Sequence, residues 1–266
     1  MSKRLLTRIL IVTGIMGITA VGIVLQSDWR PSFSLALSGA TVAISLPHAD
    51  SLVFFDSKEI ALTTTPNESV LIDRISKGEH TVLVAKDDSW PWIKTINVSG
   101  KEKIVLQSFN LPKTSDLQEI SFGDEKYNEA WKLLLANDKD NLGNEESDAI
   151  ISQDKNVAIW KENNNIFAKW VGASGLEPYY FCKNGVCNSR LQVASIQSNV
   201  VDVDFFPNRS DVLIFSSNEG LFVIEINNIG TQNFQPILRT QNPNFVLQNN
   251  DLYIRTGNNV RLVSLE

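Results

Sequence analysis

Two cysteines flank a segment that is typical of a tight β-turn. Cys182 and Cys187 enclose four residues with Asn184-Gly185 at the centre, the strongest two-residue hairpin signal. In such a hairpin the cysteines oppose each other with Cα atoms about 4.5–5.5 Å apart, a separation that a disulfide can span. We therefore predict a disulfide between them. Two free buried thiols are the alternative, and a metal site is disfavoured because no third ligand lies nearby.

Two aromatic clusters could present flat faces to a ligand. Trp90 and Trp92 flank a proline, and Tyr179 and Tyr180 precede a phenylalanine. Sugar rings could stack on such side chains, so these four residues are the candidate ligand-stacking residues. Aromatic side chains more often fill the core of a small sandwich or cover its end, and we favour that interpretation.

The titratable residues show no catalytic or metal-binding arrangement in the sequence. Neither His48 nor His80 has a serine, cysteine or aspartate arrangement beside it, and the sequence contains no nucleophile elbow, HExxH zinc motif or phosphate-binding loop. The acidic run from Asp138 begins like a calcium loop, but Leu142 and Ala149 stand where the loop needs ligands. We therefore predict no catalytic residue, no metal and no cofactor, and a protein that is not an enzyme.

An apolar segment near the N-terminus predicts a membrane anchor. No charged residue occurs in Ile9–Leu25, which as a helix would be roughly 25 Å long. Lys3, Arg4 and Arg8 precede it, and the positive-inside rule therefore places the N-terminus in the cytoplasm. We expect residues 1–30 to be a cytoplasmic tip and a single-pass signal-anchor in the cell membrane, with the later residues outside the cytoplasm. A cleaved signal peptide is the alternative, and it would also export the remainder.

The bulk composition is that of a folded chain that does not bind nucleic acid. Hydrophobic residues make up 43% and charged residues 20% of the 266 residues, which argues against disorder. The net charge is −6, and phosphate binding needs a clustered basic face that the exported part lacks. Asp202 and Asp204 alternate with valines and are expected on the polar face of a strand.

Residues 40–112 are predicted to form a small antiparallel β-sandwich. Short runs rich in β-branched and aromatic residues are separated by turn-forming residues, at a spacing typical of sandwiches. The predicted strands are Thr41–Leu46, Leu52–Phe55, Ser69–Ile75, Thr81–Ala85, Trp92–Val98 and Ile104–Phe109.

This region also carries a pattern of turns found in a known family. The pattern comprises the turn Asp56-Ser57-Lys58, the pair Thr65-Pro66, and Lys77-Gly78-Glu79-His80 opening a strand, then a further turn and the strand Ile93–Val98. It resembles a PEGA domain, a small β-sandwich of bacterial and archaeal surface proteins. The resemblance covers roughly a quarter of the chain. It implies a structural or adhesive module of a prokaryotic surface protein, without an activity of its own.

Residues 113–148 are predicted to form a helix and an acidic linker. In Asp124–Ala136 apolar residues recur along one stripe, which favours an amphipathic helix. Asn137–Asp148 is polar and acidic and should be solvated.

Three segments within residues 149–266 share one plan. Val157–Val171, Val212–Ile226 and Asp251–Leu265 each contain a β run, a polar turn and a second β run, starting about 55 and then 40 residues apart, which brackets the spacing of propeller blades. Phe206-Pro207-Asn208 before a hairpin resembles WD40-like and TolB-like blades, although the WD and GH signatures are absent. The resemblance implies blade-like β repeats.

We expect these repeats not to close a ring. Fewer than three blades of about 40–45 residues fit into 149–266, whereas closed propellers have about four to eight. An open array leaves sheet edges and apolar faces uncovered. The predicted helix could cover such a face with Trp131, Leu134 and Leu135, and the open edges could support self-association.

These features predict a mainly β protein with an N-terminal transmembrane helix, a PEGA-like sandwich, one linker helix and propeller-like blades. The expected function is that of a non-catalytic, membrane-anchored scaffold or interaction protein of the cell envelope. The expected partners are the membrane, through the N-terminal helix, and an envelope protein or a cell-wall glycan. A carbohydrate- or cell-wall-binding module is the alternative, and an exported hydrolase has the least support.

Overall fold

The computed structural model describes residues 39–265, except positions 115, 141, 142, 144, 184, 185, 228–230 and 249, and for 137–140 it describes only the backbone. The described residues belong to one compact unit that spans 38–266. The predicted membrane helix, Ile9–Leu25, lies outside them. Within the described ranges, no helix combines the length and the apolar character needed to cross a bilayer. The unit is mainly β, as predicted.

Two sheets form the N-terminal part of the unit. Their strands are β1 Ala40–Leu46, β2 Leu52–Phe55, β3 Lys58–Leu62, β4 Glu68–Ile75, β5 Gly78–Ala85, β6 Trp92–Val98 and β7 Lys103–Gln107. One sheet has the strand order β4-β1-β7 and the other the order β3-β2-β5-β6. Every second residue of β1 is buried, as expected for a strand with one face in a core, and these residues share that core with Val84 and Trp92 of the other sheet.

Two features of these sheets differ from the sequence prediction. β7 pairs with β1 in parallel, so the prediction of a wholly antiparallel sandwich is wrong. The chain passes from β6 in one sheet to β7 in the other. The residues of β7 indicate a strand, but they do not indicate which strand it pairs with or in which direction. The sequence also did not indicate β3, because four of its five residues are exposed and it has no alternating apolar face.

Most of the remaining residues belong to one helix, α1, and to three four-stranded sheets within the described residues. The helix α1 spans Glu125–Asp140, and the strands are β8 Gln118–Ile120, β9 Ile150–Ile151, β10 Val157–Glu162, β11 Asn165–Trp170, β12 Cys182–Lys183, β13 Val186–Cys187, β14 Arg190–Ser195, β15 Val200–Phe205, β16 Val212–Ser217, β17 Gly220–Glu225, β18 Phe234–Arg239, β19 Asn244–Gln248, β20 Asp251–Thr256 and β21 Asn259–Ser264. The three sheets have the orders β14-β11-β10-β9, β15-β16-β17-β18 and β19-β20-β21-β8, and β12 and β13 form a separate hairpin. We name them the first, second and third sheets; none of the three closes on itself over the part of the chain that is described.

Each sequence repeat forms the central hairpin of one of these sheets. The hairpins β10–β11, β16–β17 and β20–β21 each pair two six-residue strands. Residues 149–266 supply two of these four-stranded sheets completely and three of the four strands of the third. The third sheet takes its edge strand, β8, from before the helix, and β9 in the first sheet has only two residues.

The helix α1 packs on the third sheet. Tyr127, Ala130 and Leu134 are buried there in one cluster with Ile120 of β8 and Val260 of β21. The apolar stripe of the helix is therefore what holds it to the sheet.

The details of α1 correct two sequence predictions. Leu135, which was expected in the buried stripe, is 39% exposed, because it follows Leu134 by one residue and therefore points about 100° away from it. Trp131 is half-buried. The helix also continues to Asp140 rather than ending at Ala136, since the sequence contains no proline or glycine before Gly143.

One cluster of buried apolar residues joins the N-terminal sheets to the second and third sheets. It extends from Val42 and Trp92 to Ile214 in β16 and Ile254 in β20. The N-terminal sheets therefore do not have a core of their own within the unit. At the surface above this shared core, loops from both parts face each other across a cleft.

Candidate binding cleft

The predicted disulfide is present. Cys182 and Cys187 are bonded to each other and face each other across the hairpin β12–β13, with Cα atoms 3.9 Å apart. The Asn184-Gly185 turn on which the prediction rested lies outside the described residues. Because the two sulfur atoms are bonded to each other, the alternative of two free thiols is wrong for this structure.

The four aromatic residues suggested for sugar stacking do not form an exposed platform. Trp92 has no exposed surface, since it is an inward-facing residue of β6, and Tyr180 is 7% exposed. A sugar cannot stack on either ring without displacing the core around it. Trp90 and Tyr179 are half-buried, and the Lys94 ammonium lies 5.3 Å from the centre of the Tyr179 ring. Burial raises the pKa of Tyr179 and that of Tyr180 well above the ordinary value for a tyrosine.

A cleft of about 480 Å³ lies where the N-terminal sheets meet the second and third sheets. This volume falls within the range of roughly 300–1,000 Å³ that is usual for ligand sites. Five exposed side-chain amides line it; they belong to Asn67, Gln107, Gln118, Asn208 and Asn250. We name this set the amide rim.

The amide rim is assembled from five separate places in the chain. Asn67 lies in the turn before β4, Gln107 ends β7, and Gln118 begins β8. Asn208 lies in the loop between β15 and β16, and Asn250 lies in the turn between β19 and β20. Asn67 and Asn208 have positive φ values of 59° and 58°, a conformation that asparagine tolerates better than most residues.

The loop that carries Asn208 is held in place by its neighbour Arg209. The Arg209 guanidinium donates to the backbone carbonyl oxygens of Gln107 at 2.9 Å and Ser108 at 3.4 Å. It also donates to both carboxylate oxygens of Asp211, at 2.7 and 2.9 Å, and lies 5.9 Å from the centre of the Phe109 ring. Arg209 thus connects the second sheet to the end of β7 and fixes the width of the cleft.

The electrostatic character of the cleft is close to neutral. Burial lowers the pKa of Arg209, but the Asp211 carboxylate outweighs this effect and keeps the pKa above its ordinary value, so the guanidinium is charged and paired. Burial, together with the positive charge of Lys86, lowers the pKa of His48, which also lines the cleft. Asp116 is exposed at the edge. The cleft therefore contains no unpaired cation among its described lining residues.

The floor of the cleft is apolar. Phe109, Leu111, Ile237 and Leu265 are buried below it, and Phe206 is a half-buried wall residue. An apolar floor beneath a rim of hydrogen-bonding groups is the usual construction of a small-ligand site. No local sequence pattern indicates this site, because each of its residues is of an ordinary type for the segment in which it lies.

A second hollow of about 450 Å³ lies on the other side of the Phe206–Arg209 loop. Asp204 lines it, with one carboxylate oxygen accepting a hydrogen bond from the Phe205 backbone N–H at 2.7 Å. Burial raises the pKa of Asp204 to about 6. Asp204 is half-buried and lines this hollow together with residues of the Phe206–Arg209 loop.

Away from the cleft, His80 and Asp56 form an ion pair of 2.7 Å. The second ring nitrogen of His80 lies 2.9 Å from the carbonyl oxygen of Ser76, and the ring stacks on Phe55. Both nitrogens are thus engaged within the fold, so this histidine is placed to link two turns rather than to accept a proton from a substrate. No group of three or more metal-ligating side chains occurs in the described portion of the chain.

No protein-family model matches the chain, and no curated protein matches it in sequence.

Proposed function

We propose that this chain is a non-catalytic, membrane-anchored protein of the cell envelope that holds a ligand or a partner in the cleft. The observation that carries the proposal is the amide rim. Amide side chains neither titrate in the physiological range nor act as nucleophiles, but each can donate and accept hydrogen bonds. The chemistry collected around the cleft is therefore suited to recognition.

The proposed location outside the cytoplasm has two supports. The uncharged segment Ile9–Leu25 follows three basic residues, which favours a signal-anchor with its N-terminus inside. The disulfide between Cys182 and Cys187 is of the kind that persists in oxidising compartments.

The proposed architecture of the exported part is a PEGA-like module that has merged with an open, propeller-type array of three sheets. The turn pattern around Asp56 and Lys77 supports the first element, and the repeated six-residue hairpins support the second. β14 and β18 lie at the edges of their sheets, so self-association through strand edges is a further part of the proposal.

Two experiments test the proposal. A reporter that is active only after export, fused behind residue 266, should be active, and cytoplasmic activity would overturn the location. A photocrosslinking amino acid placed at Gln118 in the rim should capture a defined envelope component, identified by mass spectrometry. The same amino acid placed at Asn128, which is exposed on α1, should not capture it. Equal capture at both positions, or none at Gln118, would overturn the cleft as the binding site.

A further inference from the structure

We propose that the cleft binds a neutral oligosaccharide, which the amide rim hydrogen-bonds while the apolar floor and walls contact the faces of the sugar rings. This inference rests on the proposed function, because it names the ligand class of the same cleft. It also moves the carbohydrate site away from Trp90, Trp92, Tyr179 and Tyr180.

The hydrogen-bonding capacity of the rim matches a sugar. A side-chain amide offers two donors and an acceptor oxygen in one plane, and neighbouring sugar hydroxyls also present donors and acceptors side by side. Within the described residues, the side chains of Asn67, Gln107 and Gln118 make no hydrogen bond that would occupy them. The Asn208 amide donates to the Asn250 amide oxygen over 3.4 Å, a long contact that leaves the Asn250 amino group available.

The walls supply the apolar contacts that a sugar ring needs. Pro47, Pro112 and Pro207 line the cleft together with the half-buried ring of Phe206. The C–H faces of a pyranose ring can pack on such surfaces while the ring edge, which carries the hydroxyls, points to the rim.

The charges disfavour an anionic ligand. Recognition of a phosphate or carboxylate usually depends on an available arginine or lysine. Arg209, the one lysine or arginine among the described lining residues, already directs its hydrogen bonds to Asp211, Gln107 and Ser108. Asp116 adds a negative charge at the edge, which would repel an anion.

The arrangement of the strands disfavours an extended peptide. Peptides that add to a sheet hydrogen-bond along the open backbone of an edge strand. β7 and β8 are edge strands, but each reaches the cleft with only its terminal residue, Gln107 or Gln118. The hydrogen-bonding groups of the rim are therefore side-chain amides, three in loops or turns and two at strand ends.

The test uses the full chain in a zwitterionic detergent, because alkyl-glycoside detergents carry sugar head groups that would compete. Isothermal titration calorimetry compares chitotetraose and maltotetraose, which are neutral, with tetragalacturonate, which is anionic, and with a neutral glycine–serine peptide. We expect at least one neutral tetrasaccharide to bind and the other two probes not to bind. Asn250→Ala and Gln118→Ala should each weaken binding about five- to tenfold, as expected for the loss of one hydrogen bond.

Two controls make the result specific to the cleft. Asn128→Ala removes an exposed amide on α1. This residue does not line the cleft, so the variant should leave affinity unchanged. Circular dichroism of each variant should match the wild type, and Gln118 lies in strand β8, where alanine fits the backbone without strain.

Three results would overturn the inference. They are the absence of binding for both neutral sugars up to about 10 mM, binding that the rim variants do not change, and tighter binding of the anionic sugar or the peptide. A peptide that binds and is lost in Asn250→Ala would refute the oligosaccharide while leaving the proposed function intact. Failure of the proposed function itself would show separately, as a cytoplasmic reporter or as no crosslink specific to Gln118.

Discussion

Lys94 and Glu225 form an ion pair of 3.0 Å in the interior, where each side chain is only 1% exposed. Lys94 is an inward-facing residue of β6, and Glu225 ends β17 in the second sheet. Asn233 completes the contact: its amide donates to Glu225 at 2.8 Å and to the carbonyl oxygen of Ile93 at 2.9 Å, and accepts from the Ile93 N–H at 2.8 Å. The apolar junction between the N-terminal sheets and the second sheet therefore contains a buried ionic contact, in addition to the hydrogen bonds that Arg209 makes to the end of β7.

Removal of one partner of this pair should destabilise the whole unit. Lys94→Met or Glu225→Leu leaves an uncompensated buried charge, and we expect a loss of about 3–5 kcal/mol in the free energy of unfolding, measured with urea. The double variant should lose less than either single variant, because it leaves no buried charge. Lys169→Ala, which breaks an exposed pair with Glu146, should change stability by no more than about 1 kcal/mol. Additive losses in the double variant would contradict this account.

The disulfide should stabilise the fold only moderately. It closes a ring of six residues, for which the chain-entropy model gives about 2 kcal/mol. Cys182→Ser should therefore lower the melting temperature without abolishing the fold, and Cys182→Ser/Cys187→Ser should behave in the same way. Wild-type protein melted in a reducing agent should match the double variant. Complete unfolding of either variant at room temperature would show that the bond does more than lower the conformational entropy of the unfolded chain.

The ion pair between His80 and Asp56 should make stability depend on pH in a defined window. Burial lowers the pKa of His80, but the hydrogen bonds to Asp56 and Ser76 and the charge of Asp56 together outweigh it, and the pKa is raised from 6.5. Burial raises the pKa of Asp56, but its hydrogen bonds to His80 and Thr81 outweigh this and the pKa is lowered from 3.8. The contribution of His80 is complete below pH 6.5 and is lost as the pH rises through its raised pKa. That of Asp56 is complete above pH 3.8 and is lost as the pH falls through its lowered pKa.

The measurement compares the unfolding free energy of the wild type and His80→Gln from pH 3 to 9. The difference should be largest between about pH 4 and 6.5 and should shrink on both sides. His48→Gln serves as the matched histidine control and should not show this profile. A difference that is independent of pH would mean that the His80 contribution is packing on Phe55 rather than charge.

The packing of α1 can be tested at two adjacent leucines. Leu134 has no exposed surface, whereas Leu135 is 39% exposed. Leu134→Ala should cost about 2–5 kcal/mol, as for a buried large-to-small change, and Leu135→Ala should cost less than about 1 kcal/mol. Equal costs at the two positions would show that the helix does not pack in the observed orientation.

Local patterns and long-range contacts explain which parts of this structure the sequence predicted. The three hairpins are strongly indicated because two β runs and a polar turn lie within about fifteen residues. The parallel pairing of β1 with β7 joins residues that are far apart in the chain, and no local pattern reports it. Lys94 is an intermediate case: it alternates with Trp92 and Ile96, so the strand period alone places its charge in the core.

The cleft was beyond sequence reasoning for a similar reason. Asn67 and Asn208 each fit an ordinary turn, and Gln107, Gln118 and Asn250 fit strand ends and a turn. Their convergence depends on Arg209, whose contacts with Gln107 connect residues about a hundred positions apart. The Trp and Tyr clusters were candidates because of their residue types. Trp92, however, falls on the inward-facing period of β6, and Tyr180 is buried just before the disulfide hairpin.

Asp204 gives a prediction with the opposite sign to that of the His80 pair. Burial raises the pKa of its carboxyl from 3.8 to about 6, so the folded state binds a proton more tightly than the unfolded state between these values. Stability should therefore fall as the pH rises from about 4 to 6 and stay at the lower level above that, and the linkage relation limits the loss to about 3 kcal/mol.

Asp204→Asn keeps an oxygen to accept the hydrogen bond from the Phe205 N–H and removes the charge. We expect this variant to be more stable than the wild type at pH 7 and similar to it at pH 4, as measured by urea unfolding at both values. Glu59→Gln, at an exposed position of β3, is the matched control and should show no such difference. If Asp204→Asn were equally or less stable at pH 7, the carboxylate would have to be solvated or paired in the folded protein, and the second hollow would be a wet site rather than a desolvated one.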